Sequence, residues 1–347
     1  MKKQIFPWLP STILISLLFT YGLLYTLPKP LSVVGINPLR INAGQPPLLI
    51  AHGGGNHEFP DNTLEAFYHA YSINSNVMLE TDVNLTLDEV IILSHDTTLD
   101  RKTNLIEADI IDIRYEDLLN NQIDFAYDNE VEPNSNGYNV SGDLTHYVNY
   151  LGEAVSPLDV QYPSGVTARH PEKFLVSTLE ELITLFPNNL INVEIKQTGD
   201  IGLRALDAVI DLMDVYAETH QTYQRIVLAT FHDNVFQSMK NFKQTTHPQL
   251  QFSPETNGVI QFFVLHTLGL TYFFNLSVSV LQLPIERYGL DLSTAALIAN
   301  AHQHNIAVHY WTIDDESMME ELILMGADGI MTNRPSLLQE VIDRVID

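Results

Sequence analysis

Three pieces of sequence decide the architecture: Leu48–Phe67, L-L-I-A-H-G-G-G-N-H-E-F-P-D-N-T-L-E-A-F; Met78–Asp88, M-L-E-T-D-V-N-L-T-L-D; and Leu93–Arg101, L-S-H-D-T-T-L-D-R. The apolar run Leu48 to Ala51 stops at His52 and a glycine triplet, and a helical pattern starts near Asn62. A strand handing a side chain to a loop has this form. The next strand, Val77 to Leu85, carries Glu80 and Asp82. Residues two apart on a strand share a face, so the two carboxylates converge, which is costly unless a cation or a proton lies between them. A hard divalent ion meets that need with oxygen ligands. His95 closes a further short apolar run, Val90 to Leu93, so two strand-end histidines bracket an acidic pair. The constellation is hydrolytic.

From Ser177 onward the chain becomes regular. Ser177 or Thr178 opens a helix with glutamate in its first turn. Strands follow at Leu190–Ile195, Arg225–Thr230, Leu250–Ser253, Leu276–Leu283, Ile306–Thr312 and Gly329–Met331, separated by helices. Alternation of this kind implies a parallel sheet with right-handed crossovers. With the two earlier strands the count is about eight, which predicts an α/β fold closed as a (β/α)8 TIM barrel, with its site at the carboxyl ends of the strands. His52, His95 and Lys196 fall there. Between about Ile106 and Leu175 periodicity is lost, in a stretch with Tyr115, Tyr127, Tyr138, Tyr147, Tyr150 and Tyr162. A loop of this length inside a compact domain is usually functional; most of its tyrosines are expected to pack the insertion itself.

The order and spacing of these motifs resemble the glycerophosphodiester phosphodiesterase (GDPD) family, whose pattern is a strand-end His, P-E-N-T, E-x-D and H-D-x-x-L-x-R. The matching residues are His52, Pro60 to Thr63, Glu80 with Asp82, and His95-Asp96 with Leu99 and Arg101. N-V-E-I-K at 192–196 is similar to the strand carrying the family's third metal carboxylate, here Glu194, with its companion Lys196. V-H-Y-W-T-I-D-D and G-A-D-G-I-M-T-N-R-P are similar to its closing strands. The resemblance runs from about Leu48 to Pro335. It implies that Glu80, Asp82 and Glu194 hold Ca²⁺ or Mg²⁺, that His52 and His95 are the acid and base, that Asn62 orients the ligands or fixes the turn, that Trp311 lines the pocket mouth, and that 106–175 is a lid-like insertion after the second strand. The implied reaction is hydrolysis of a glycerophosphodiester to sn-glycerol 3-phosphate and an alcohol. The alternatives are hydrolysis of lysophospholipids and a barrel that binds phosphodiesters without turning them over. The family usually carries Arg directly after the first His, and this chain has Gly53. Phosphate binding is then left to Lys196, the ion and the backbone N–H groups of Gly53, Gly54 and Gly55. His57 is expected as an ordinary loop histidine.

Met1 to Leu27 carries Lys2 and Lys3 and then no charge up to Lys29, roughly the ~20 apolar residues of a bilayer span. With no small-x-small cleavage site at its end, residues 1–27 read as a transmembrane anchor, with a removed signal peptide as the alternative. The lysines predict an extracytoplasmic catalytic domain. Residues 28–47 read as a linker and 48–347 as the barrel. Val259 to Leu283 is also uncharged but is needed for the barrel, and reads as barrel packing, with a helix resting on a bilayer through Phe262, Phe263, Tyr272, Phe273 and Phe274 as the alternative. The formal charge of −26 argues against nucleic-acid partners. With no cysteine there are neither disulfides nor zinc thiolates.

Overall fold

A computed structural model describes residues 9–26, 35–42, 44–103, 105, 107–126 and 147–346. Eight strands run parallel: β1 Leu48–Ala51, β2 Met78–Leu85, β3 Ile191–Ile195, β4 Ile226–Ala229, β5 Gln251–Phe252, β6 Val280–Leu283, β7 Ala307–Tyr310 and β8 Gly329–Thr332. Their order around the sheet is β5-β4-β3-β2-β1-β8-β7-β6. The two end strands meet through one backbone bond, from Ser279 N–H to the Phe252 carbonyl at 3.1 Å. The result is a nearly closed parallel barrel with helices outside it, as the alternating pattern predicts.

The strands are short apolar runs because both faces are covered. Met78 to Leu85 is buried throughout. Several of the outer helices begin with side-chain caps. Thr63 accepts from Ala66 N–H, Thr178 and Glu181 form a reciprocal capping box, and Asp315 accepts from Met318 N–H. A main core lies between the strands and the outer helices. A second cluster, including Leu39, Ile50, Met78, Val227 and Val280, fills the barrel floor. Leu39 falls in the stretch expected as linker, yet it is fully buried. Its carbonyl lies 3.0 Å from His309 Nε2. Leu39 therefore packs into the floor, and Asn37 and Arg40 bond beside it to the Ser279 carbonyl and to Asn305.

The expectation of a membrane anchor, and of the extracytoplasmic placement that rests on it, is overturned. Among the described residues no helix is long and apolar enough to cross a membrane. The amino-terminal helix, Leu9–Thr26, has 18 residues, about 27 Å at ~1.5 Å per residue, short of the ~30 Å hydrocarbon layer. It is also tied to the barrel: the Tyr21 hydroxyl donates to the Leu268 carbonyl at 2.9 Å, and the Tyr272 hydroxyl donates to the Leu24 carbonyl.

Other elements differ in detail. Val90 to Leu93 yields the strand Ile91–Leu93, which pairs antiparallel with β2 and stands outside the barrel. Within 106–175, the described residues form a helix at Tyr115–Asn120 and a small pair of strands, Tyr147–Val148 with Ala154–Val155. Tyr127 and Tyr138 lie outside the described residues. Tyr147 is buried and donates to the Asn56 carbonyl at 2.7 Å, and Tyr162 packs edge-on against Tyr68, so both reach the barrel and not only the insertion itself. In Val259–Leu283, Phe262 and Phe274 are buried against each other. A hairpin at 286–291, turned by Tyr288 and Gly289 with positive φ, was not anticipated. Its sequence signal is the glycine closing a two-residue turn.

Candidate active site

The register of β2 against β3 sets Asp82 beside Glu194 and Glu80 beside Asn192. One oxygen each of Glu80, Asp82 and Glu194 can be chosen so that all lie within 4.8 Å of one another. Lys196 Nζ reaches into the group, 2.9 Å from Asp82 Oδ1 and 2.8 Å from Glu194 Oε1. Burial, then Asp82, pushes the Glu80 carboxyl well above its ordinary range. Burial also raises Glu194, against the pull of Lys196 and with the push of Asp82. For Asp82, burial is outweighed by Lys196 and then by His95 and His52, so its pKa falls. The Lys196 ammonium resists burial because Asp82 and Glu194 face it, and its pKa rises.

One ammonium against three carboxylates leaves the cluster short of positive charge. Asp82 Oδ1 is buried and, although it faces Lys196, has no well-directed hydrogen bond. All the donors are hard oxygens, so the residues fit a divalent ion of the Mg²⁺ or Ca²⁺ class. Asn62 supports the site. Its side-chain nitrogen donates to Asp82 Oδ2 at 3.1 Å and to Asp61 at 2.9 Å, while its oxygen accepts from the Thr81 hydroxyl and the Asp82 N–H.

Both histidines stand at this mouth, each held through Nδ1. His52 follows β1, and its Nδ1 lies 2.6 Å from Asn333 Oδ1. Asn333 follows β8 and is itself fixed by Asp314. Its side-chain nitrogen donates to Asp314 Oδ2 at 2.8 Å, and its backbone N–H and the Thr332 hydroxyl donate to Asp314 Oδ1 at 2.8 and 3.0 Å. His95 Nδ1 lies 2.8 Å from Asp96 Oδ1, and Arg101 Nε donates to Asp96 Oδ2 at 2.5 Å. Burial would raise the Asp96 pKa, but the His95 hydrogen bond and the Arg101 guanidinium hold it down at about 2. The same hydrogen bond is the largest influence on His95 and raises its pKa. Behind them, fully buried Lys102 lies 3.0 Å from Asp61 Oδ1, and Arg101 reaches Asp61 at 3.5 Å.

A cavity of about 410 Å³ opens over these groups, lined by His52, Glu80, His95, Glu194, Lys196 and Trp311. Its outer arm is apolar. Val259, Ile260, Phe263 and Val264 come from the helix Thr256–Thr267, and Leu290 and Leu292 from beside the hairpin. Arg287 also lines it, and among the described residues no carboxylate is paired with this guanidinium, which lies 5.3 Å from the Tyr288 ring centre.

The structure thus brings together His52, His95, Glu80, Asp82, Glu194, Lys196 and Asn62, and sets Trp311 at the mouth beside Phe231. The glycine loop departs from expectation. Gly53 N–H donates to Glu80 Oε2 at 2.8 Å, and Gly55 N–H to the His52 carbonyl, so these two donors are engaged within the protein. Gly54 packs on Ala66, where a Cβ would come within 2.8 Å. His57 faces Asp314 at 4.0 Å and lies tilted against the Tyr150 ring, 6.2 Å between centres, instead of lining the cavity. Sequence reading assigned no role to Asn333, Asp314, Asp96 or Arg287. The first two lie within T-I-D-D and T-N-R-P, directly past strand ends, and that position was the available signal.

Residues 52–337 match the model of the Glycerophosphoryl diester phosphodiesterase family. The chain is 23% identical over 317 residues to the Lysophospholipase D GDPD1 of Rattus norvegicus, covering 85% of this chain and 86% of that protein. It is 22% identical to a glycerophosphodiester phosphodiesterase of Caldanaerobacter subterraneus, covering 84% and 96%. Among solved structures, a putative glycerophosphoryl diester phosphodiesterase from Silicibacter pomeroyi shares the fold with a TM-score of 0.61 at 19% identity, over 88% of this chain and 96% of that one. An Oleispira antarctica phosphodiesterase, solved with the product sn-glycerol-3-phosphate, has a TM-score of 0.56 at 19% identity, over 86% and 97%.

Proposed function

This chain belongs to the glycerophosphoryl diester phosphodiesterase family, and on that premise we propose that it hydrolyses glycerophosphodiesters to sn-glycerol 3-phosphate and an alcohol. The observation that carries the reading is the single cavity onto which two imidazoles, the acidic cluster and the Lys196 ammonium all open. Glu80, Asp82 and Glu194 would hold Mg²⁺ or Ca²⁺, which supplies Lewis-acid polarisation of a phosphoryl oxygen. Lys196 places a permanent positive charge beside that oxygen. His52 and His95 move protons to and from the attacking and leaving oxygens, with ring nitrogens whose ordinary pKa suits both tasks. Asn62 keeps Asp82 aimed, and Trp311 with Phe231 walls the mouth. The described parts of the insertion, which reach the glycine loop through Tyr147 and Tyr150, would cover this face.

The test is release of glycerol 3-phosphate from glycerophosphocholine by the full chain with Mg²⁺, Ca²⁺ or chelator. Metal-dependent release that is lost in His52→Ala supports the reading. Release insensitive to chelator sinks the metal assignment, and no release with either ion sinks the substrate.

The apolar arm of the cavity favours a second substrate class, lysophospholipids, whose single chain would lie along Ile260, Phe263 and Val264. The similarity to proteins named lysophospholipase D agrees with it. Choline release from lysophosphatidylcholine, compared with glycerol 3-phosphate release from glycerophosphocholine, separates the two substrates.

A further inference from the structure

We infer that Asp314 and Asn333 are positioning residues for His52. Together they hold Nδ1 as the protonated nitrogen and leave Nε2 bare, which makes His52 the proton acceptor of the reaction. The last step rests on the diesterase reading above; the tautomer does not.

A carboxylate such as that of Asp314, when ionised, can only accept hydrogen bonds. Its Oδ2 lies 2.8 Å from the side-chain nitrogen of Asn333, and its Oδ1 takes the Asn333 N–H. The Asn333 amide is therefore oriented with nitrogen toward Asp314 and oxygen toward His52. An amide swapped end for end would set oxygen against oxygen. The Asn333 oxygen, 2.6 Å from His52 Nδ1, can only accept, so Nδ1 must carry the hydrogen. In a neutral imidazole the other nitrogen then has the free lone pair. His52 lines the cavity, so that lone pair is left for substrate or water.

A neutral imidazole in water favours the opposite tautomer, with hydrogen on Nε2, which would present a donor where a base is needed. The relay overrides that preference. Asn333 is 4% exposed and packed between β8 and Asp314, so the geometry is held from two strand ends at once. The contrast with His95 is chemical. Its Nδ1 faces a carboxylate, Asp96, which stabilises a doubly protonated ring, whereas the neutral Asn333 amide adds no charge.

The experiment uses the full chain, ¹⁵N-labelled in histidine, with Mg²⁺, at a pH where the His52 ring is neutral; its signal is the one missing in His52→Gln. Two-bond ¹H–¹⁵N spectra are expected to show hydrogen on Nδ1 and a pyridine-type Nε2. Asn333→Ala is expected to shift His52 toward the Nε2–H form and to lower kcat on glycerophosphocholine roughly 10²-fold, with KM little changed. The swapped pair Asp314→Asn with Asn333→Asp keeps the donor direction, because the amide at 314 donates to the carboxylate at 333. It is expected to restore the Nδ1–H tautomer of the neutral ring, which guards against reading a folding defect as a chemical one. Hydrogen on Nε2 in the unaltered protein, or an unchanged tautomer in Asn333→Ala, overturns the relay. An Nδ1–H tautomer in a protein that turns over neither substrate leaves the relay standing and removes the diesterase reading instead.

Discussion

At the scale of single residues, Gly53 and Asp96 carry the sharpest expectations. Gly53 sits at φ +55°, and a Cβ there would approach Asp61 Cβ to 2.8 Å while its N–H is bound to Glu80. Gly53→Ala should cost roughly 1–3 kcal/mol in denaturant unfolding, as left-handed strain adds to the close contact. From sequence alone Gly53 reads as a lost phosphate-binding arginine; the backbone demand on it is invisible in a linear motif, because Asp61 and Glu80 reach it only through the fold. Asp96 raises the His95 pKa, so the protonated ring survives to higher pH than a free histidine. If His95 delivers a proton, activity is retained below its folded pKa and lost as pH rises through it. Asp96→Asn should move the basic limb of the kcat/KM profile to lower pH, and an unmoved limb would remove His95 from the donor role. The convergence of the E-x-D pair was legible from strand periodicity and the histidines from their places at strand ends, whereas Glu194 was legible only through the family resemblance. The partners Asn333 and Asp314 were not, since their roles depend on which strand closes against which.

Among the elements, the helix Thr256–Thr267 walls the apolar arm of the cavity. Val264 is 46% exposed there, so a charge at this position is compatible with folding. Val264→Asp should lower kcat/KM for lysophosphatidylcholine on the order of 10²-fold, since a few methylenes at ~0.8 kcal/mol each lose an apolar wall. Turnover of glycerophosphocholine, which has no chain, should be unchanged; an equal loss on both would remove the arm as a chain-binding element. The strand order was readable from apolar runs and helix caps, with ends off by a few residues where runs such as Leu276–Leu283 continue past the ladder at Val280. The amino-terminal helix was legible as a helix but not in its placement. Hydropathy cannot see the hydrogen bonds of Tyr21 and Tyr272 that lash it to the barrel.

For the whole molecule, the acidic cluster ties stability to pH and to divalent ions. Glu80 and Glu194 have raised pKa values in the folded protein, so without an ion they favour folding when protonated. That contribution is present below the unfolded carboxylate range, near 4.5, and is lost as pH rises through their folded values. Asp82, whose pKa is lowered, works in the opposite sense. Tm of the chelated protein should therefore fall from mildly acidic to neutral pH, and Mg²⁺ or Ca²⁺ should restore it, by about 2.7 kcal/mol at a hundredfold excess over Kd. Glu80→Gln should raise the neutral-pH Tm of the chelated protein and shrink the response to the ion; a full response in that variant would place the ion elsewhere. The barrel itself is laced unevenly. β1 and β8, from opposite ends of the chain, share a complete ladder from Leu48↔Gly329 to Ala51↔Thr332, whereas β5 and β6, successive in sequence, share one bond. At that seam the covalent backbone between Phe252 and Val280 does the work that ladders do everywhere else. A peptide bond cut in any other strand connection leaves its two strands joined by a ladder, while a cut in this one leaves them joined by a single backbone bond.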